Sequence, residues 1–189
     1  MEVNRIARAA VAAAGLVCMM AFGAAAQSSS GKASAADRQF VTKAAQGGQA
    51  EVELGQLAAD KGESQQVKDF GQKMVQDHSK ANDQLKQIAS QENIPVPSGL
   101  SAKDKALKDR LSKLSGAQFD LAYMQSMVQD HKEDIAEFQK EASNGKDQPV
   151  KQFAQQTLPT LQEHLHMAQQ DKQALMQKSN GTTSASKQQ

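Results

Sequence analysis

Hydrophobic positions between Ala36 and Lys178 recur with helical spacing and nowhere alternate as they would along a strand. A first helix is expected over Ala36 to Lys61, with Phe40, Ala44, Gly48, Glu51, Gly55 and Ala58 on one stripe, flanked by Val41, Ala45 and Val52. Gly47 and Gly48 each weaken such a helix by roughly 1 kcal/mol relative to alanine. Close approach of a neighbouring helix is the expected compensation. A second helix spans Ser64 to Asn93, with Val67, Phe70, Met74, His78, Ala81, Leu85 and Ile88 inward. Ser64 reads as its N-cap, and Gly62 as the stop before it. Pro95 and Pro97 then break the pattern.

Ser101 to Leu114 reads as a short helix. A long one follows over Ala117 to Ser143, with Leu121, Met124, Val128, His131, Ile135 and Phe138 inward. Asn144-Gly145 ends it. The last helix covers Asp147 to Lys178, with Val150, Phe153, Ala154, Thr157, Leu161, His164, Ala168 and Leu175 inward, and a kink expected at Pro159. Two antiparallel pairs joined by a long connection predict an all-α fold: a ferritin-like four-helix bundle with a short helix in the crossover between helices 2 and 3.

The ends have a different character. Residues 1–26 carry Arg5 and Arg8, an apolar run from Ala9 to Phe22 and small residues ending at Ala26, the plan of a secretory signal peptide. The apolar run is shorter than the roughly 20 residues a spanning helix needs. An exported, periplasmic or secreted protein is expected, with no integral membrane segment after cleavage. Residues 27–35 read as a flexible linker, 36–178 as the helical domain and 179–189 as a disordered tail.

Cleavage would remove Cys18, the one cysteine, and with it any disulfide or thiolate chemistry. It would also remove Arg5, Arg8 and Glu2, bringing Lys+Arg from 22 to 20 and Asp+Glu from 21 to 20. A neutral chain with one Tyr and no Trp lacks the basic surface and stacking rings of a nucleic-acid binder. Outer faces rich in Gln and Lys present no apolar stripe for a protein partner, and the pattern specifies no oligomer.

MVQDH occurs at Met74 to His78 and again at Met127 to His131, 53 positions apart, as a duplicated helical hairpin would show. His78, His131 and His164 fall on apolar stripes, whereas His166 lies on a polar face. Glu163 and His166 match the Glu-x-x-His spacing of di-iron bundles, but neither points inward. Glu51 is the carboxylate expected inside the first helix. Each long helix thus offers one ionisable group near its middle: Glu51, His78, His131 and His164.

Buried groups of this kind need partners. One reading makes the four a site for a transition metal, Fe, Mn, Zn or Cu. Asp77, Asp130, Met74 and Met127 are then its candidate outer supports. The other reading is a buried Glu/His hydrogen-bond network without metal. Met74, Met127 and Met167, each three or four residues from a histidine, would favour copper, although methionine also fills cores. A metal-dependent oxidase or peroxide scavenger is a further alternative. No nucleophile motif or phosphate loop supports an enzyme.

The stretches DRQFVTKAAQGGQAEVELGQLA, VKDFGQKMVQDHSKANDQL, FDLAYMQSMVQDHKEDIAEF and VKQFAQQTLPTLQEHLHMA resemble the bacterial family called domain of unknown function 4142. The resemblance covers about Ala36 to Gln170, with the two Asp-His pairs and Leu-Pro-x-Leu-x-x-His its most specific parts. It implies an exported protein of ferritin-like fold, with family-typical positions at Glu51, Asp77, His78, Asp130, His131 and His164. It implies no established activity; its setting suggests envelope stress or metal handling. Lacking paired Glu-x-x-His motifs, the chain departs from di-iron ferroxidases.

Overall fold

In the computed structural model, residues 33–185 are described, with side chains as far as Ser179. They form five α-helices: α1 (Ala35–Lys61), α2 (Gln65–Gln91), α3 (Ala102–Ser112), α4 (Gly116–Asn144) and α5 (Gln148–Ala185). The expected signal peptide, most of the expected linker and residues 186–189 lie outside the described residues. The last residues of that linker are built into the fold. Ala33 is buried, and Ser34 caps α1 in a reciprocal box with Asp37. At the other end α5 continues past Lys178 to Ala185, and Pro159 is exposed on its side. No helix among the described residues is long and apolar enough to cross a membrane.

The long helices pack mainly as two pairs, α1 with α2 and α4 with α5. Lesser contacts, α2 to α5 and α1 to α4, join the pairs, and α3 lies against α1 and α4. The glycines of α1 divide in their use. A Cβ at Gly48 would collide with Asn82 Oδ1 on α2, and one at Gly55 would lie 2.7 Å from the Gly71 carbonyl oxygen. Gly47 meets nothing closer than Asp134 Oδ1 at 3.8 Å, so helix approach explains Gly48 but not its neighbour.

The two hairpins are equivalent at a spacing of 83 residues, not 53. Asp37 and Asp120, Gly62 and Gly145, Ser64 and Asp147, Val67 and Val150, and Phe70 and Phe153 all stand at that distance. The backbone agrees. Gly62 and Gly145 donate to the carbonyls of Ala58 and Glu141, and Ser64 and Asp147 accept from the amides of Val67 and Val150. The two MVQDH copies sit in α2 and α4, which are not equivalent helices. They therefore do not record the duplication.

A buried aspartate on each hairpin holds the turn of the other. Asp120 accepts from the backbone amides of Glu63 and Ser64 at 2.9 and 2.8 Å. Asp37 accepts from those of Lys146 and Asp147 at 2.9 and 3.3 Å, and from Ser34 at 2.7 Å. Burial pushes the Asp37 carboxyl up, but the amides of Lys146 and Ser34 outweigh it and hold it below its usual value. These charge-assisted bonds set how the hairpins dock.

Apolar packing fills the interior in two separate clusters. One surrounds Phe40, Leu85, Phe138 and Phe153; the other surrounds Phe70, Leu111, Phe119, Tyr123 and three buried methionines. The polar residues Glu51, His78, His131 and His164 belong to neither.

Replacing Asp120 with Ala strands two amides at the start of α2, and should cost about 3 kcal/mol in urea unfolding. A loss under about 0.5 kcal/mol would show that the cross-hairpin cap contributes nothing. Glu141 acts in the opposite sense to a capped carboxylate. Burial and the nearby Asp37 carboxylate raise it to about 7. It stays protonated in the folded chain where the unfolded chain has ionised it. Its contribution is therefore present below the unfolded value and lost as pH rises through about 7. Glu141→Gln should flatten the fall of Tm between about pH 5 and 8; an unchanged slope would refute that assignment.

Candidate metal centre

His78, His131 and His164 enter the interior from α2, α4 and α5, at the level where the two apolar clusters meet. His131 and His164 are completely buried and His78 is 6 % exposed. Their ring centroids are separated by 5.3 to 5.7 Å. One ligand nitrogen from each ring lies within 4.8 Å of the others. Helical spacing predicts this convergence, because each histidine continues an apolar stripe into the core.

Two of the rings are oriented from behind. His131 Nδ1 donates to the carbonyl of Met127, one turn earlier, at 3.0 Å, with Glu51 Oε1 at 3.6 Å. His164 Nε2 donates to Asp77 Oδ2 at 2.8 Å. Asp77 is in turn tied to Lys73, whose Nζ lies 3.2 Å away. Burial pushes the Asp77 carboxyl up, yet bonds from His164 and Lys73 hold it below its usual value.

These supports fix the tautomers. With Nδ1–H committed to Met127, a neutral His131 carries a bare Nε2. With Nε2–H committed to Asp77, a neutral His164 carries a bare Nδ1. The two bare nitrogens face one another at 3.3 Å. Met127, Asp77 and the contact between the rings call for three protons, and two neutral imidazoles hold two. Burial opposes supplying the third, holding His131 down to about 4 and His164 below its usual value. Adjacent, the Nε2 of His78 is buried without a hydrogen-bond partner.

A cation resolves this deficit. Two nitrogens bound at about 2.0 Å to one tetrahedral ion stand about 3.3 Å apart, the separation seen here. The backing of each ring by a carboxylate or carbonyl is the outer arrangement that metal-bound imidazoles ordinarily have. His131 and His164 therefore have the spacing of two ligands of one transition-metal ion, and His78 offers a third nitrogen within 4.8 Å.

The remaining expected residues distribute unevenly. Glu51 is buried but meets His131 on the ring nitrogen facing away from His164, and its Oε2 has no partner. Burial and the charges of Asp134 and Asp130 raise its carboxyl well above the usual range. Asp130 turns outward to Lys103, 3.4 Å away on α3, so the two aspartates of MVQDH have different surroundings. Met74 and Met127 are wholly buried in the Phe70 cluster, and Met127 serves His131 through its carbonyl. Glu163 and His166 are exposed, as their face of α5 predicts. Asp134, raised to about 7 by burial and by Asp130 and Glu133, is a polar group of this region that periodicity alone passes over. Its signal was its place 83 residues after Glu51.

The chain belongs to the family of the domain of unknown function DUF4142, whose pattern matches residues 22–170. Its fold is shared with a DUF305 fragment from Deinococcus radiodurans: TM-score 0.67, 15% identity, 78% of this chain and 99% of that one. CopM in its Cu(I)-bound form gives a TM-score of 0.62 at 15% identity, covering 73% and 96%. A DUF305 protein described as secreted, from Streptomyces coelicolor, gives 0.60 at 16%, covering 70% and 89%. No curated protein matches the sequence.

The tautomers are open to measurement. In the metal-free protein, long-range nitrogen–proton NMR should show His131 as the Nδ1–H form and His164 as the Nε2–H form. His131 should titrate at about 4 and His78 well below an exposed imidazole, which titrates near 6.5. Titration of both with midpoints near 6.5 would contradict a desolvated cluster.

Proposed function

We propose that this protein is an exported metal-binding protein that holds one transition-metal ion, Cu(I) before the others, between His78, His131 and His164. In this reading residues 1–26 are removed on export. Residues 36–178 form a ferritin-like four-helix bundle, with α3 carried in the crossover between its second and third long helices. The observation that supports it most is the pair of bare nitrogens of His131 and His164, 3.3 Å apart and each fixed from behind.

Charge favours Cu(I). Three neutral imidazoles can complete the coordination of a monovalent ion, and a single charge is less costly to bury than two. Glu51, behind His131, lies on the ring nitrogen turned away from His164 and is not assigned as a ligand. The shared fold of CopM, which has been seen with Cu(I) bound, is consistent with this choice. The role assigned is the binding and holding of metal, with no reaction assigned to the site.

Anaerobic competition titration against a colorimetric Cu(I) chelator tests the reading. One Cu(I) per chain is expected. His131→Ala and His164→Ala should each weaken binding by more than about 100-fold, and Asp77→Asn by about tenfold. Affinity should hold from about pH 7.5 to 5.5, because the buried imidazoles resist protonation. Absence of binding, or binding indifferent to both alanine substitutions, would leave a hydrogen-bonded polar core as the role of these residues. Tight Zn(II) binding with weak Cu(I) binding would overturn the choice of metal.

A further inference from the structure

Between α1, α3 and α4 the surface opens into a cleft of about 510 Å³. Asp104, Asp130, Glu133 and Asp134 line it, with Lys103 among them. Lys103 is engaged by Glu133 at 2.8 Å and Asp130 at 3.4 Å, and the rim lysine Lys43 by Glu137 at 3.0 Å. Acidic groups thus outnumber the lysines available to neutralise them. At the cleft's inner side lies Glu51, whose buried Oε2 has no hydrogen-bond partner.

Beyond the cleft is a small interior cavity of about 20 Å³, room for about one water or ion. His78 lines it. Ala44, Asp134 and Phe138 line both spaces, so Asp134 stands in the wall between the acidic cleft and the cavity of a triad histidine. A second opening, on the α2–α5 side, shares Ala81 and Thr157 with the cavity but presents one carboxylate, Asp77, which Lys73 holds at 3.2 Å.

We propose that the acidic cleft is the loading route of the metal, and that Asp134 is the positioning carboxylate that passes a cation inward past Ala44 to His78. This rests on the three-histidine site of the preceding subsection. The carboxylates concentrate cations at the mouth, as like charges in a cleft do, and so act on the rate of filling. Glu51 offers the free oxygen at the inner end. Affinity remains a property of the histidines and their supports.

The test is the rate at which the full mature chain takes up Cu(I) supplied anaerobically as its cationic acetonitrile complex, with the unbound ion quenched by bicinchoninate at stopped-flow intervals. Asp134→Asn removes the charge, and Ala44→Met narrows the passage without altering charge. Both variants should fill at least about fivefold more slowly than wild type, with equilibrium affinity within about twofold. Added salt should slow the wild type more than Asp134→Asn. Filling of both variants at the wild-type rate overturns the route and leaves the histidine site standing. If Asp134→Asn does not fold, the rate of Ala44→Met decides alone. A wild-type chain that takes up no Cu(I) overturns the site and the route together.

Discussion

Three imidazoles taken out of water at the middle of a helical core set the terms for everything around them. Desolvation keeps them neutral, and neutrality leaves them one proton short for the contacts they make. The core answers by dividing. Apolar side chains close over both ends, while the layer between is given to the histidines and Glu51. Rigid backing from a helix carbonyl and a tethered carboxylate holds the ring edges in place. Such a layer could hold a cation, because the bare nitrogens of His131 and His164 lie 3.3 Å apart with their supports behind them.

Holding that layer in register requires the two hairpins to dock at one height, and the reciprocal caps of Asp37 and Asp120 supply it. Each carboxylate reads backbone amides of the opposite hairpin's turn, so sliding one pair along the other would strand both an anion and two N–H groups. Aromatic contacts cross the same seam, Phe40 against Phe138 with ring centroids 4.9 Å apart and Phe70 against Tyr123 at 6.1 Å. Directional bonds at the two ends of the packed hairpins therefore protect the geometry of the histidine cluster at their middle.

The helices and the inward histidines were legible because apolar periodicity reports directly on which face is buried. Phe70, Met74 and His78 share one stripe, and the structure buries all three. The caps were not legible. Asp37 and Asp120 are polar residues near helix starts, where periodicity assigns them to solvent, and their partners are main-chain amides that leave no pattern in sequence. The difference between Asp77 and Asp130 was equally hidden. Both precede a histidine in identical words, yet one faces α5 and His164 while the other faces α3 and Lys103. The environment of a side chain on a helix's flank is chosen by the next helix over, and the local word is silent about that.

The repeat relating the hairpins sharpens what the histidines mean. Under it, His131 corresponds to Gly48, His164 to Ala81 and His78 to Leu161. No histidine has a histidine as its counterpart, so the cluster breaks the symmetry that the caps, turns and aromatic anchors obey. A Cβ at Gly48 would meet the Asn82 amide, so a side chain there would have to displace it. The carboxylates behave differently: Glu51 and Asp134 are counterparts and both border the acidic cleft. Acids that are counterparts thus border one cleft, while three histidines without histidine counterparts gather once, so a duplicated scaffold presents one cluster and not two.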